Sequence, residues 1–327
     1  MPDIISIGEI LIDFVSMESG VTLAQSPGFL KAAGGAPANV AVAVSKLGVK
    51  SGFIGTAGND PFGRFLKDTL NSYGVDTCHM DLTDEARTTL AFVSLTADGD
   101  RDFVFYRHPG ADMMLRKEKI SEDYIKSAHI FHFGSISLID EPARTATLYA
   151  IDIAKKHGLI ISYDPNLRLN LWPDEETARK TILSTLNLPD ILKVSEVELE
   201  FLTGIRDIDS GLKALKDKTS ASLILVTRGI EGVDYVYRGE RGHVETFKDV
   251  KAIDATGAGD AFVAGVLYGI HERINEFKDG HMTSKALQDI LRIANACGTI
   301  TVTKKGAIPA LPTIDEVKRF LSERLER

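Results

Sequence analysis

Seven consecutive residues, Asp254-Ala255-Thr256-Gly257-Ala258-Gly259-Asp260, could do chemistry through their types and order alone. Three small residues run straight into an apolar stretch, Ala261 to Ile270, so a helix should begin inside the glycine segment. The first N–H groups of a helix have no partner within it. Together with the positive end of the helix dipole they attract anions, and glycine lets a phosphate approach the backbone closely. Asp260 would sit in the first turn, where the dipole favours its ionised form and keeps it able to accept a proton. Phosphoryl transfer asks mainly for positioning and for stabilisation of developing charge, so a base beside an anion hole suffices for it. A carboxylate at a helix start is also ordinary structure, and the heptapeptide by itself fits both readings equally.

Competing signatures are missing from the sequence. There is no GxxxxGK[ST] loop and no GxGxxG after a strand, which weakens P-loop and dinucleotide-binding readings. No GxSxG elbow or HExxH pair occurs, and the eight histidines are scattered, so hydrolase chemistry has no visible machinery. A net charge of -8 argues against general nucleic-acid binding, which needs surplus Lys and Arg to neutralise phosphates. Cys78 and Cys297 lie far apart, without metal-ligand spacing, and fit a reducing compartment. No charged start followed by an apolar run and cleavage site is visible, and the longest apolar runs fall short of the roughly 20 residues that cross a bilayer. A cytoplasmic protein without membrane association is expected.

The elements that must position Asp260 show in the patterning. At 327 residues and 44% hydrophobic content, the chain can bury a full core as one large domain or as a domain with a small attachment. Short β-branched runs, Ile4 to Ile7, Ser51 to Ile54, His129 to Phe133, Leu159 to Ser162, Ile191 to Val194 and Leu223 to Val226, alternate with helical stretches. That alternation is an α/β pattern, a mostly parallel sheet wrapped by helices. Gly35 to Leu47 and Asp140 to His157 read as helices stopped by Gly48 and Gly158, and Thr313 with Glu316 forms a capping box for the last helix. Thr88 to Leu95 and Asp102 to Tyr106 break the pattern: they predict an antiparallel hairpin turning at Asp98-Gly99. With Glu9 to Val15 and Phe29 to Ala33 they would form a small sheet hinged at Gly34-Gly35, a lid over the main body. The chain thus reads as a single domain over 1–327, with a lid drawn from about 9–35 and 87–107. Cys297 and His132 are expected in the core. The closing charges, Lys318 through Glu326 and Arg327, should be a solvated helix face.

Several segments together resemble the ribokinase-like carbohydrate kinases, and within them the fructokinases. Gly8-Glu9-Ile10-Leu11-Ile12-Asp13 and Gly34-Gly35-Ala36-Pro37-Ala38-Asn39 are similar to the first signature of that family, and Asp254 to Asp260 to the second, with Ala255 where Thr is usual. Phe105 to Asp112, Phe131 to Ser135, Asp164-Pro165-Asn166-Leu167-Arg168 and Leu171-Trp172 are similar to fructokinase segments, in the same order along the chain. The resemblance implies a three-layer sandwich with a β lid, ATP as phosphate donor and Mg2+ as its metal. It also allows K+ beside Asp254 and Thr256.

The resemblance further implies that Asp260 is the catalytic base, aided by Gly257, Ala258 and Gly259. By similarity, Asp13 and Asn39 bond sugar hydroxyls while Gly34 and Gly35 let the backbone come near. Each of that pair, taken alone, would pass as a strand-end carboxylate and a first-turn helix residue. Arg107 is expected to reach the cleft when the lid closes, and Asn166 and Arg168 lie after a strand, at the end where open α/β sheets bind ligands. Lys193, Thr227, Gly229, Gly232, Thr256, Asn295 and Gly306 fall in segments that flank the nucleotide in relatives, though a buried Asn295 satisfied within its apolar helix is the more ordinary reading. Glu198 is implied as a holder of Mg2+ through water, and Ser195 stands where Asn is common. Fructose is the implied substrate; ribose or 2-keto-3-deoxygluconate are alternatives, and a sugar-sensing protein that lost its chemistry is a further one. A lid sheet with one exposed apolar face would favour a homodimer.

Overall fold

Runs such as Ile4–Ile7 and Leu223–Thr227 are apolar at nearly every position, which suits strands covered on both faces. The computed structural model describes residues 1–95 and 101–325 and bears this out. In chain order its strands are β1 (Ile4–Ile7), β2 (Leu11–Ser16), β3 (Phe29–Gly34), β4 (Ser51–Gly58), β5 (Met80–Thr83), β6 (Leu90–Leu95), β7 (Arg101–Tyr106), β8 (Ile130–Phe133), β9 (Ile160–Tyr163), β10 (Ile191–Ser195), β11 (Leu223–Thr227), β12 (Val233–Tyr237) and β13 (Glu240–Val244). The helices are α1 (Ala36–Lys46), α2 (Pro61–Ser72), α3 (Glu122–Ile125), α4 (Ala143–Lys156), α5 (Glu175–Thr185), α6 (Glu196–Thr203), α7 (Ile208–Lys216), α8 (Ala258–Glu272), α9 (Ile274–Lys278), α10 (Ser284–Val302) and α11 (Ile314–Leu325).

Among the described residues the main sheet has nine strands in the order β13-β12-β11-β10-β9-β8-β1-β4-β5. It is parallel from β5 to β11, and β12 and β13 are antiparallel at one edge. Alternate residues feed two cores. Ile4, Ile130, Ile160 and Leu223 pack with α1, α8 and α10. Ile5, Phe131, Ile161 and Ile224 pack with α4, α5 and α6 on the other face. The result is the helix–sheet–helix sandwich that the sequence implied. Cys297 is buried, and so is His132, whose Nδ1 lies 3.1 Å from Ser162 Oγ. Burial, helped by the Lys193 charge, pushes that imidazole down to about 3, so it is a neutral core residue.

A second sheet, β3-β2-β6-β7, stands apart from the first. Its β6–β7 pair is antiparallel as the sequence suggested, while β2 and β6 at its centre run parallel. Glu9 and Ile10, expected within β2, instead carry the chain with Gly8 from one sheet to the other before Leu11. One face rests on α2, where Phe14 meets Phe62 edge-on at 5.7 Å and stacks on Phe92 at 4.9 Å. The turn foreseen at Asp98-Gly99 lies outside the described residues, as do Glu326 and Arg327.

Unforeseen in the sequence were β5 and the β12–β13 hairpin. The hairpin turns on Arg238 (φ 49°) and Gly239 (φ 96°), two left-handed residues that suit the twist of a two-residue loop. Arg in that conformation is rare, which hid the turn.

Candidate active site

The carboxyl ends of β1, β8, β9, β10 and β11 converge on the start of α8. Gly257 caps that helix in the left-handed region (φ 79°), and a Cβ there would lie 3.0 Å from Ala307. Only glycine fits such a position comfortably. The loop before the helix is fastened by Asp254: Oδ1 accepts from the Thr256 N–H (2.9 Å) and hydroxyl (2.7 Å), and Oδ2 accepts from the Gly306 N–H (2.9 Å). One carboxylate therefore ties the glycine segment to the turn after α10. The Ala258 N–H is spent locally on the Ala255 carbonyl at 3.2 Å.

Asp260 lies in the first turn of α8, 6% exposed. Its Oδ2 accepts from Asn39 Nδ2 at 2.8 Å and its Oδ1 from Asn166 Nδ2 at 3.3 Å, so α1 and the loop after β9 hold the carboxylate from two sides. Asn166 reaches it from a left-handed backbone (φ 48°), a conformation Asn tolerates better than most residues. Burial raises the Asp260 pKa, and the Asn39 bond with the Arg168 and Lys193 charges only partly offsets it. The sequence suggested that the helix dipole would hold Asp260 ionised; desolvation is the larger effect. A raised pKa makes a stronger proton acceptor once ionised.

Asp13, on β2 opposite Ala32, faces the same space. Burial lifts its pKa to about 6, with the Arg168 charge pulling down and Asp260 pushing up. A Cβ on Gly34 would collide with the Asp13 carboxylate, and Gly35 (φ 109°) backs onto the Glu9 carbonyl. Gly35 is therefore sterically required, and a side chain at Gly34 would push the Asp13 carboxylate aside. Glu9 itself is 3% exposed. Its Oε1 accepts from the Ala36 N–H at 2.9 Å, while Oε2 has no protein partner. Burial pushes this carboxyl up to about 7. Arg107 is buried as well, with Nε donating to Asp112 Oδ2 at 2.8 Å, and Asp112 also binds the Thr89 hydroxyl.

Beside this cleft lies a second buried cluster. Lys193 Nζ pairs with Asp164 Oδ2 at 2.9 Å, and Asp164 Oδ1 accepts from the Asn166 N–H at 3.1 Å. Glu198 Oε1 accepts from the Leu167 N–H at 2.7 Å, and Oε2 takes the Ser195 N–H at 2.6 Å while the Ser195 hydroxyl caps Glu198 in return. Burial favours the neutral acid in Glu198, yet the Lys193 charge and the two backbone donors outweigh it and hold the pKa down. Burial raises Asp164 to about 6 against the pull of Lys193. Next to this cluster, at the end of β11, Thr227 Oγ1 donates to the Val194 carbonyl at 3.4 Å, and Gly229 (φ 53°) and Gly232 (φ 96°) shape the turn that follows.

Comparisons with known proteins point to one family. Residues 1–314 match the model of the pfkB family carbohydrate kinases. The chain belongs to that family. It is 51% identical over 320 residues to fructokinase-1 of Zea mays, covering 98% of each chain. Among solved structures it is similar to a fructokinase with bound ATP from Xylella fastidiosa, with TM-score 0.90, 36% identity and coverage of 99% of this chain and 100% of that one. A double mutant of a Vibrio cholerae O395 fructokinase, in its fructose-, ADP- and potassium-bound form, has TM-score 0.86 and 36% identity, with 98% of each chain covered.

In this pfkB family chain, Asp13, Asn39, Asn166, Arg168, Lys193 and Asp260 are drawn together around one cleft, with Gly34 and Gly35 in its wall. Thr256 and Gly306 are joined through Asp254 at its edge. Two further expected residues are engaged within the protein. The Asn295 amide donates to the Val244 and Glu245 carbonyls at 3.2 and 3.0 Å and so braces β13 against α10. Arg107, expected to reach the cleft when the lid closes, is held by Asp112 at the end of β7. Glu9, Asp112 and Asp164 went unassigned, although each stands in a family-like segment. A lone carboxylate in a β-rich run gives no periodicity to read.

Proposed function

We propose that this chain is an ATP-dependent fructokinase, converting D-fructose and ATP to D-fructose 6-phosphate and ADP with Asp260 as general base. The supporting observation is the Asp260 carboxylate itself: buried, raised in pKa and oriented by two carboxamides at the start of α8. Asp260 takes the proton of the terminal hydroxyl, that oxygen bonds to the γ-phosphorus, and the bond to the bridging oxygen breaks as ADP leaves. Positioned base catalysis of this kind is worth roughly 10²- to 10⁴-fold. The Gly257 and Gly259 N–H groups, with the Ala258 donor already engaged, would stabilise charge on the transferred group.

Asp13 and the unpartnered Asn39 Oδ1 are suited to sugar hydroxyls, since an orphaned buried acceptor gains a donor when a polyol enters. Lys193, Thr227, Gly229, Gly232, Thr256 and Gly306 would line the nucleotide side. Glu198, an ionised oxygen donor with a spare lone pair on each oxygen, fits a hydrated Mg2+, and Asp254 with Thr256 fits K+. Bound there, Mg2+ would neutralise phosphate charge. The four-stranded sheet would act as a lid that excludes water. The sheet leaves Val15 and Leu30 exposed on one face and Val104 and Tyr106 exposed on the other, and a homodimer through paired lids in the cytoplasm would cover part of that apolar surface.

ADP release with MgATP and a panel of sugars, comparing the wild type with Asp260→Asn, tests this. Turnover on fructose should fall by two to four orders of magnitude in the variant, on the order of 10²–10⁴, with sugar affinity kept. Turnover confined to ribose or a keto-deoxy sugar acid would overturn the substrate; sugar binding without turnover would overturn the enzyme.

A further inference from the structure

We propose that Asp3, His129 and His271 form a binding site for a late first-row divalent cation of the zinc class, at the end of the sheet opposite the active site. Asp3 precedes β1 and His129 precedes β8. The Asp3 carbonyl accepts from the His129 N–H at 2.8 Å and from the Ile130 N–H at 3.2 Å, so the sheet ladder holds the two residues abreast. Their side chains already approach, with His129 Nδ1 3.7 Å from Asp3 Oδ1. His271 comes in from the last turn of α8, its ring 5.6 Å from that of His129. One ligand atom from each of the three lies within 4.8 Å of the others.

Two further features point to a cation. His271 Nδ1 is buried and has no protein partner, an arrangement that folded proteins normally avoid. The site also faces the C-terminal end of a 15-residue helix, where the unpaired carbonyls make the dipole negative. Two imidazoles and one carboxylate, with solvent as fourth ligand, are the donors zinc takes; Mg2+ asks for oxygen throughout. Bonds of about 2.1 Å in a tetrahedron put ligand atoms about 3.4 Å apart, so the side chains must close by up to about 1.4 Å. His129 is half exposed and can turn to do so. Asp260 is eleven residues back along α8, about 16 Å away, so a cation here leaves the reacting groups untouched.

Zinc chloride titrated into the full chain, followed by calorimetry and thermal melting, tests the site. One Zn2+ should bind per chain, and a hundredfold excess over Kd should raise Tm by about 4 °C. His271→Ala and His129→Ala should each weaken binding at least about tenfold, with MgATP-dependent turnover of His129→Ala unchanged. Co2+ should give visible absorption bands in the wild type that both variants lose. Cys78 is an exposed thiol, so Cys78→Ser must retain binding. Absence of binding, binding that survives both histidine variants, or binding lost with Cys78→Ser would each overturn the proposal.

Discussion

Two buried polar clusters lie side by side and differ in how fully they are satisfied. In the Asp164–Lys193–Glu198 cluster the lysine has its carboxylate, and each carboxylate oxygen has a donor. Around Asp260, and at the crossing between the sheets where Glu9 lies, the opposite holds: Asn39 Oδ1 and Glu9 Oε2 lack protein partners, and burial raises Asp260, Asp13 and Glu9. A closed network holds backbone in place, here the 164–168 loop and the end of β10. An open one keeps its hydrogen-bonding capacity for a ligand, at a cost in stability.

Breaking the closed cluster should have the largest effect on folding. Lys193→Met strands two buried carboxylates and should cost about 3–5 kcal/mol in urea unfolding at pH 7; an unchanged midpoint would show that the network contributes nothing. Relieving the open cluster should stabilise. Glu9 has a folded pKa of about 7, above the usual 4.5, so its favourable contribution is complete below pH 4.5 and is lost as pH rises through about 7. Glu9→Gln should therefore unfold later than the wild type at pH 8, by roughly 1–3 kcal/mol, and the gain should vanish near pH 4.5. A smaller effect sharpens the contrast within the cleft. The Asn39 bond lowers the Asp260 pKa against burial, so in Asn39→Ala the acid limb of the kcat/KM profile should move to higher pH, by up to about one unit.

The same contrast explains what could be read in the sequence. Asp254 to Asp260 announced a helix start because its small residues abut an apolar run, a local signal. The alternation of strands and helices was local too, and the parallel sheet followed from it. The closed cluster was invisible as a cluster: Asp164 and Lys193 lie 29 positions apart, as the pairing itself records, and only the parallel packing of β9 beside β10 brings them together. Glu9 gave no signal because its burial depends on a crossing between two sheets. The rise in the Asp260 pKa was hidden for a related reason, since a helix dipole is legible in sequence and desolvation is not.

The position of β1 has a consequence for synthesis. This strand lies between β4 and β8, yet β8 follows β4 by more than seventy residues in the chain. On a ribosome adding about 5–20 residues per second, β1 waits on the order of ten seconds with one apolar edge unpaired. During that interval the nascent chain depends on chaperones or on speed, and slowing translation between β4 and β8 should lower the soluble yield without changing the finished enzyme.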